Sequence, residues 1–227
     1  MPVLYKSDAS PPARTVLMVS ELLGVELELR ELNPVLREQD APPYRQKNPM
    51  RTVPVLDEGD FSLADSHAIV LYLIAKYGKP EHMYLYPDDI RIRARIHLIL
   101  FFDCGVLFPR LRTVMAPTYG GKLGELSKRM IHNIDDAYQM LEEYLNDGSY
   151  LAGDAMTIAD LSVLTTISSL HGLHPVDEKR FPKLTRWLEN MNQKEVCQRI
   201  NAPGSQLHVE GLKALMAHHR ENQKSKL

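Results

Sequence analysis

The order of apolar and polar positions divides the chain into two stretches of different character. Across residues 1–80 the pattern changes period about every ten residues. Val3-Leu4-Tyr5 reads as a short strand. After Pro11 and Pro12 a helical spacing follows, with Val16, Leu17, Val19, Leu22 and Leu23 on one broad face. Pro12 suits the first turn and Gly24 the position just past the end. Val25 to Leu32 alternates, with Val25, Leu27 and Leu29 on one side and Glu26, Glu28 and Arg30 on the other, the mark of a half-buried strand. Strand, helix and strand of these lengths predict a parallel pair joined by a crossover. Thr52 to Leu56 is the next strand, Asp57 to Asp60 a hairpin loop, and Phe61 to Leu63 the return. A helix then runs from Ser66 to Tyr77 and stops at Gly78. The resulting order is βαβ followed by ββα.

From about Asp89 the strand signal is gone. Helical periods cover Ile92–Leu111, Ile131–Leu145, Thr157–Leu170, Phe181–Met191 and Leu207–His219. Gly120-Gly121 and Pro175 to Asp177 read as loops. Thr157 with Asp160 three residues on predicts reciprocal capping at a helix start, worth ~1 kcal/mol. The fold expected is an α/β domain over 1–80, a polar linker over 81–88, and an all-helical domain over 89–227 with a polar tail from about 221.

Composition narrows the class of function. The 227 residues are 44% hydrophobic and 25% charged, ordinary for a globular chain. A chain of this size buries roughly 70% of its unfolded surface, so neither metal nor disulfide is needed to hold a core. A net charge of −2 provides no basic field for nucleic acid. The two cysteines, Cys104 and Cys197, form no C-x-x-C and fit a reducing compartment. Cys104, set among apolar helix positions, reads as a buried inert thiol. No basic-then-apolar leader and no membrane-length apolar run occur, so a soluble, cytoplasmic protein without membrane partners is expected. Phosphate-binding glycine loops and the nucleophile elbow are absent. His171, His174, His218 and His219 lack the company of a metal site, and no metal is expected.

Two segments hold candidate chemistry. Ser10 lies where a strand gives way to a helix. Its hydroxyl either caps that helix or donates to an anion held at the helix N-terminus. Pro54 inside a strand is either an edge-strand proline or the second residue of a cis Val53-Pro54 bond, which would leave the Val53 backbone groups free for an extended ligand. Asp65-Ser66-His67 opens the next helix, where Ser66 could hold a carboxylate and Asp65 an ammonium. A ligand with an amino-acid head and a peptide-like body satisfies both places, and glutathione is such a ligand.

The ordered set of segments is similar to a cytosolic glutathione transferase of the insect delta/epsilon group, closer to epsilon. The matching text is Val3-Leu4-Tyr5, Ser10-Pro11-Pro12-Ala13-Arg14, Asn48-Pro49 before Thr52-Val53-Pro54-Val55-Leu56, and Asp65-Ser66-His67-Ala68-Ile69. It continues with Leu85-Tyr86-Pro87, Val106-Leu107-Phe108-Pro109-Arg110, and Leu151-Ala152-Gly153 leading to Thr157-Ile158-Ala159-Asp160. The resemblance implies a thioredoxin-like first domain, a homodimer, and conjugation of glutathione, as co-substrate, to hydrophobic electrophiles in detoxification. It implies Ser10 as the catalytic hydroxyl and Gln39, Arg51, Thr52, Val53, Pro54, Asp65, Ser66 and His67 as the glutathione site. Pro11, Phe108, Leu111, Arg112, Met115 and Leu207 fall where the family lines its second-substrate pocket. Lowering a thiol pKa from ~8.5 by two units requires about 2.7 kcal/mol of anion stabilisation.

There are departures from the family pattern. Gln39 and Arg51 stand where histidines are usual beside the glycine carboxylate of glutathione, and Asp65 where many relatives carry Glu. The alternatives are a non-catalytic carrier of apolar ligands and a specialised member of the steroid-hormone-related epsilon branch, although Leu111 occupies the place of that branch's acidic pocket residue. Ser225-Lys226-Leu227 matches a peroxisomal address, so peroxisomal import stands beside the cytoplasmic expectation.

Overall fold

The computed structural model describes residues 1–145 and 148–224; Ser225-Lys226-Leu227, and with it the peroxisomal address, lies outside the described residues. Four strands form one mixed sheet in the order β2-β1-β3-β4: β1 Val3–Lys6, β2 Glu28–Glu31, β3 Val55–Asp57 and β4 Ser62–Ala64. β1 runs parallel to β2, with Val3 opposite Glu28, and antiparallel to β3, with Tyr5 opposite Val55. β3 and β4 form the expected hairpin, closed by Glu58 N–H donating to the Phe61 carbonyl at 2.8 Å. Helices α1 (Pro11–Leu22), α2 (Pro42–Lys47) and α3 (Ser66–Tyr77) complete this part.

The alternation over Val25–Leu32 overstates the second strand. Gly24, at φ +66°, donates to the Glu21 carbonyl, and Val25 N–H donates to that of Ser20. These are the paired bonds of a Schellman stop, so Val25 closes α1 instead of entering the sheet. β2 is an edge strand, and Leu29 is 51% exposed rather than half-buried. The helix α2 has no counterpart in the sequence reading. Its six residues are too few for a period to show, and Pro42-Pro43 at its first turn reads equally as a turn.

After a 3-10 segment at Pro80–Leu85, helices α4 (Ile90–Phe102), α5 (Phe108–Tyr119), α6 (Lys128–Tyr144), α7 (Ile158–Leu173), α8 (Pro182–Asn192) and α9 (Ala202–Lys224) follow. The stretch expected as one helix ending at Leu111 runs on to Tyr119 and carries a π turn at Asp103–Leu107. Pro109 lacks the N–H that would continue α-type bonding there. α9 begins five residues before its expected start because Pro203 is tolerated in a first turn. Gly204 has no Cβ, and one built there would stand 2.5 Å from Cδ of Arg14. No helix among the described residues is long and apolar enough to cross a membrane.

α7 is the central pillar. Its residues from Ile158 to Ile167 are all buried, which is why it is apolar on every face. Its start is built as predicted. Thr157 Oγ1 accepts from Ala159 N–H, and Asp160 accepts from Thr157 N–H at 2.9 Å, Leu151 N–H at 2.9 Å and Trp187 Nε1–H at 3.0 Å. α1 packs against α7 through buried polar contacts: Arg14 Nη2 donates to the Thr165 carbonyl at 2.8 Å, and Thr15 and Thr165 hydroxyls lie 3.0 Å apart.

Candidate functional site

Ser10 is the N-cap of α1, with extended backbone at φ −75°, ψ 118°. Its N–H donates to the Ser7 carbonyl at 2.9 Å, which fixes the turn. The hydroxyl oxygen accepts from Ala13 N–H at 3.5 Å, at the outer edge of hydrogen bonding. The helix mouth departs from the sequence expectation. Free N–H groups at the helix mouth are scarce, because Pro11 and Pro12 occupy the first two positions and carry none. The groups left to steady an anion are the Ser10 hydroxyl, Ala13 N–H and the helix dipole.

The Val53-Pro54 peptide is cis, one of the two alternatives that a proline at this place leaves open in the sequence, and Pro54 is buried. Among the described residues the Val53 N–H and C=O have no hydrogen-bond partner. Thr52 beside it is held firmly: its carbonyl accepts from Tyr44 Oη at 2.5 Å and Asn48 Nδ2 at 2.8 Å, and Asn48 Nδ2 also reaches its hydroxyl at 3.1 Å. Burial raises the Tyr44 phenol pKa, so it stays a donor. α2 itself is tied to β3 by Lys47 and Asp57 at 2.6 Å.

Asp65, at φ +73°, caps α3 by accepting from His67 N–H at 2.9 Å and Ala68 N–H at 3.1 Å through one oxygen, Oδ1. The second oxygen is left for a cation. Ser66, buried, is the first residue of α3. The His67 ring turns away from this mouth toward the helical part: Nε2 lies 2.6 Å from Ser162 Oγ and 3.3 Å from Asp103 Oδ2. Burial opposes the charged ring, but the Asp103 hydrogen bond and the charges of Asp103 and Asp65 outweigh it and raise the His67 pKa. Ser162 Oγ also donates to Asp103 at 2.5 Å.

Arg51, at φ +56° and half exposed, faces Asp40 at 3.5 Å, beside Gln39. Gln39 Nε2 donates weakly to the Pro34 carbonyl at 3.4 Å, and its buried Oε1 has no partner among the described residues. The two departures from the family pattern therefore sit together at one turn.

The residues expected around the second substrate are dispersed. Phe108 and Met115 are half-buried on α5, Arg112 is exposed, and Leu111 is fully buried in the core. Pro11 is buried at the start of α1. Leu207 lines a different cleft, whose walls include neither Phe108, Leu111, Arg112 nor Met115. Cys104 is exposed, not buried, since the π turn rotates it outward. Partial desolvation of its sulfur and the charges of Asp103 and Asp65 raise its pKa, so the thiol remains a poor nucleophile.

The sequence reading assigns no role to the positioning residues Tyr44, Asp103 and Ser162, and includes Asn48 only as part of the matching Asn48-Pro49 segment. The one usable signal was Asp103, a lone acid between the apolar Leu98–Phe102 and Val106–Leu107.

Comparison with known proteins agrees with the fold. Two family models, described as the glutathione S-transferase N-terminal domain and C-terminal domain, match residues 4–81 and 125–195. Glutathione S-transferase 1 of Manduca sexta is 37% identical over 206 residues, covering 90% of this chain and 94% of that protein. An epsilon-class glutathione S-transferase from the housefly, Musca domestica, superposes with a TM-score of 0.90 at 36% identity, over 95% of this chain and 98% of that one. A glutathione transferase homolog from Drosophila mojavensis, solved with bound glutathione, gives 0.88 at 38% identity, over 94% and 96%. With its sheet order, its α1 and α3 mouths and these likenesses taken together, the chain belongs to the glutathione S-transferase family.

Proposed function

We propose that this chain conjugates glutathione to hydrophobic electrophiles, and that the Ser10 hydroxyl holds the attacking thiolate at the mouth of α1. The observation that carries this is the slackness of the Ser10 cap. At 3.5 Å the oxygen accepts little from Ala13, and its proton is committed to no acceptor. A hydroxyl both accepts and donates, so a sulfur anion accepts a hydrogen bond from it while Ala13 N–H continues to point at the oxygen. A hydrogen bond to a charged group is worth about 1.5–3 kcal/mol, so it supplies much of a two-unit fall in thiol pKa.

The rest of the tripeptide follows from the free groups. The unpaired Val53 backbone suits an extended cysteinyl strand. The α3 mouth, with Ser66 and the spare oxygen of Asp65, suits the γ-glutamyl amino-acid head. Arg51 and Gln39 suit the glycine carboxylate, which a guanidinium grips through two bonds. Phe108, Met115 and Arg112 line the electrophile's side. Residues 1–80 act as the glutathione domain, 81–88 as linker and 89–227 as the electrophile domain. The working unit is a cytoplasmic homodimer serving detoxification, and a fluorescent fusion with a free C-terminus checks the compartment: diffuse signal agrees, punctate import does not.

The decisive experiment is Ser10→Ala assayed with a chlorinated nitroaromatic. We expect kcat/KM at neutral pH to fall ten- to a hundredfold, matching the loss of one charge-assisted hydrogen bond. The pH midpoint of the rate should move up toward that of free thiol. A fall of less than about threefold, with an unmoved midpoint, overturns the assignment.

A further inference from the structure

β1 ends at Lys6 and α1 begins at Pro11, so Ser10 stands where the short turn of Ser7, Asp8 and Ala9 puts it. The bond from Ser10 N–H to the Ser7 carbonyl closes that turn, and Ser7 is buried. The middle of the turn, Asp8, is fixed by charged side chains that have no part in the glutathione site assigned above.

Lys6 lies opposite Glu31 in the parallel pair of β1 and β2. Its ammonium reaches Asp8 Oδ1 at 2.5 Å and Glu31 Oε2 at 2.6 Å. The other Glu31 oxygen, Oε1, accepts from Asp8 N–H at 3.3 Å. Glu31 therefore holds Asp8 twice, directly through the backbone and again through Lys6. The start of α9 closes on the same residue: a Cβ built at Gly204 would stand 2.4 Å from the Asp8 carbonyl oxygen. Asp8 is pinned between β2 and α9.

The three side chains are not equivalent. That of Lys6 is 10% exposed, whereas those of Asp8 and Glu31 are 58% and 53% exposed. An ion pair in water contributes little, but a cation sunk into the protein is costly unless acids meet it. Burial opposes the charge on Lys6, and the hydrogen bonds and charges of Asp8 and Glu31 outweigh it and raise its pKa. Lys6 is therefore a fixed cation. Without it, two carboxylates would face each other with nothing between them, and their repulsion would act on Asp8, two residues before Ser10.

On the reading that Ser10 holds the thiolate, we propose that Lys6 is a positioning residue for thiolate formation: it draws Asp8 to Glu31, and the turn so fixed sets the Ser10 hydroxyl at the mouth of α1. Lys6 touches neither the sulfur nor the electrophile. It acts through the turn alone, so its effect requires the hydroxyl that the turn carries.

The test uses the full chain and places Lys6→Met in the unaltered protein and in Ser10→Ala. In the unaltered protein Lys6→Met should lower kcat/KM with a chlorinated nitroaromatic about tenfold, and the pH midpoint of bound glutathione thiolate, followed by its ultraviolet absorbance, should rise by about one unit. Affinity for S-hexylglutathione, which has no thiol to ionise, should stay within about twofold, which a general loss of structure would not allow. In Ser10→Ala the same change should cost less than about twofold in rate, because the group that Lys6 positions is gone. Glu31→Ala, on the exposed edge strand, removes the acceptor of both Lys6 and Asp8 N–H; it should lower kcat/KM by at least about threefold and takes the place of Lys6→Met in the cycle where that variant fails to fold. An unmoved thiolate midpoint in Lys6→Met, an equal loss in both backgrounds, or full activity in Glu31→Ala each overturns the proposal. Should Ser10→Ala itself be silent, the Ser10 reading falls and the role of Lys6 with it. Should Ser10→Ala be slow while the Lys6 effect is the same with and without the hydroxyl, the role of Lys6 falls alone.

Discussion

At Ser10 one side chain serves local structure and, by our reading, chemistry, whereas the His67 ring is taken up by Ser162 and Asp103 of the helical part. Ser10 was legible because a hydroxyl followed by two prolines announces a helix start, and because family resemblance supplied its role. The same two prolines remove the first free N–H groups of that helix. His67 enters the site only through the resemblance, and the partners its ring takes up, Asp103 and Ser162, lie 36 and 95 positions away, a separation no local pattern encodes. Because its folded pKa is raised, the His67–Asp103 contact stabilises fully below the unfolded value of about 6.5 and loses that contribution as pH rises through the folded value. Asp103→Asn should therefore be destabilising at pH 6 and much less so at pH 9, with urea midpoints as the readout. An equal loss at both pH values would contradict this sign.

Arg51 gives a second prediction on the same scale. It is half exposed and linked only loosely to Asp40, so its removal should leave stability unchanged. Arg51→Ala should raise the KM for glutathione about tenfold with little change in kcat. That split separates a carboxylate contact from a role in thiolate formation.

Elements with strong punctuation were readable and those without it were not. α7 is the best case: Thr157 and Asp160 specify its first turn, and the buried carboxylate gathers three N–H donors and the Thr157 hydroxyl. Asp160→Ala would strand those donors in the core at about 1–3 kcal/mol each. We expect a loss of at least about 3 kcal/mol, read from the fluorescence of the single tryptophan, Trp187, through a urea transition. Retained wild-type stability would show that water replaces the carboxylate. β2 was overdrawn because alternation continues through residues that in fact close α1. The π turn at Asp103–Leu107 was invisible because its apolar spacing mimics an ordinary helix.

On the scale of the molecule, α4 leaves Ile90, Leu98 and Phe101 exposed at 81%, 50% and 70% along one face. Three large apolar side chains so placed are costly in water and fit a second copy of the chain. Phe101→Glu should convert the proposed dimer to monomer in sedimentation while leaving helix content unchanged. The two-layer arrangement itself was readable from the change of period near residue 80, but how the layers are bolted was not. Arg14, Thr15 and His67 reach across to Thr165, Ser169 and Ser162. Chimeras that splice the front half of one relative onto the back half of another must therefore inherit both sides of that seam. A graft at residue 80 that exchanges Thr165 and Ser169 for bulky aliphatic residues would leave a guanidinium walled into grease, and such hybrids should be recovered in inclusion bodies.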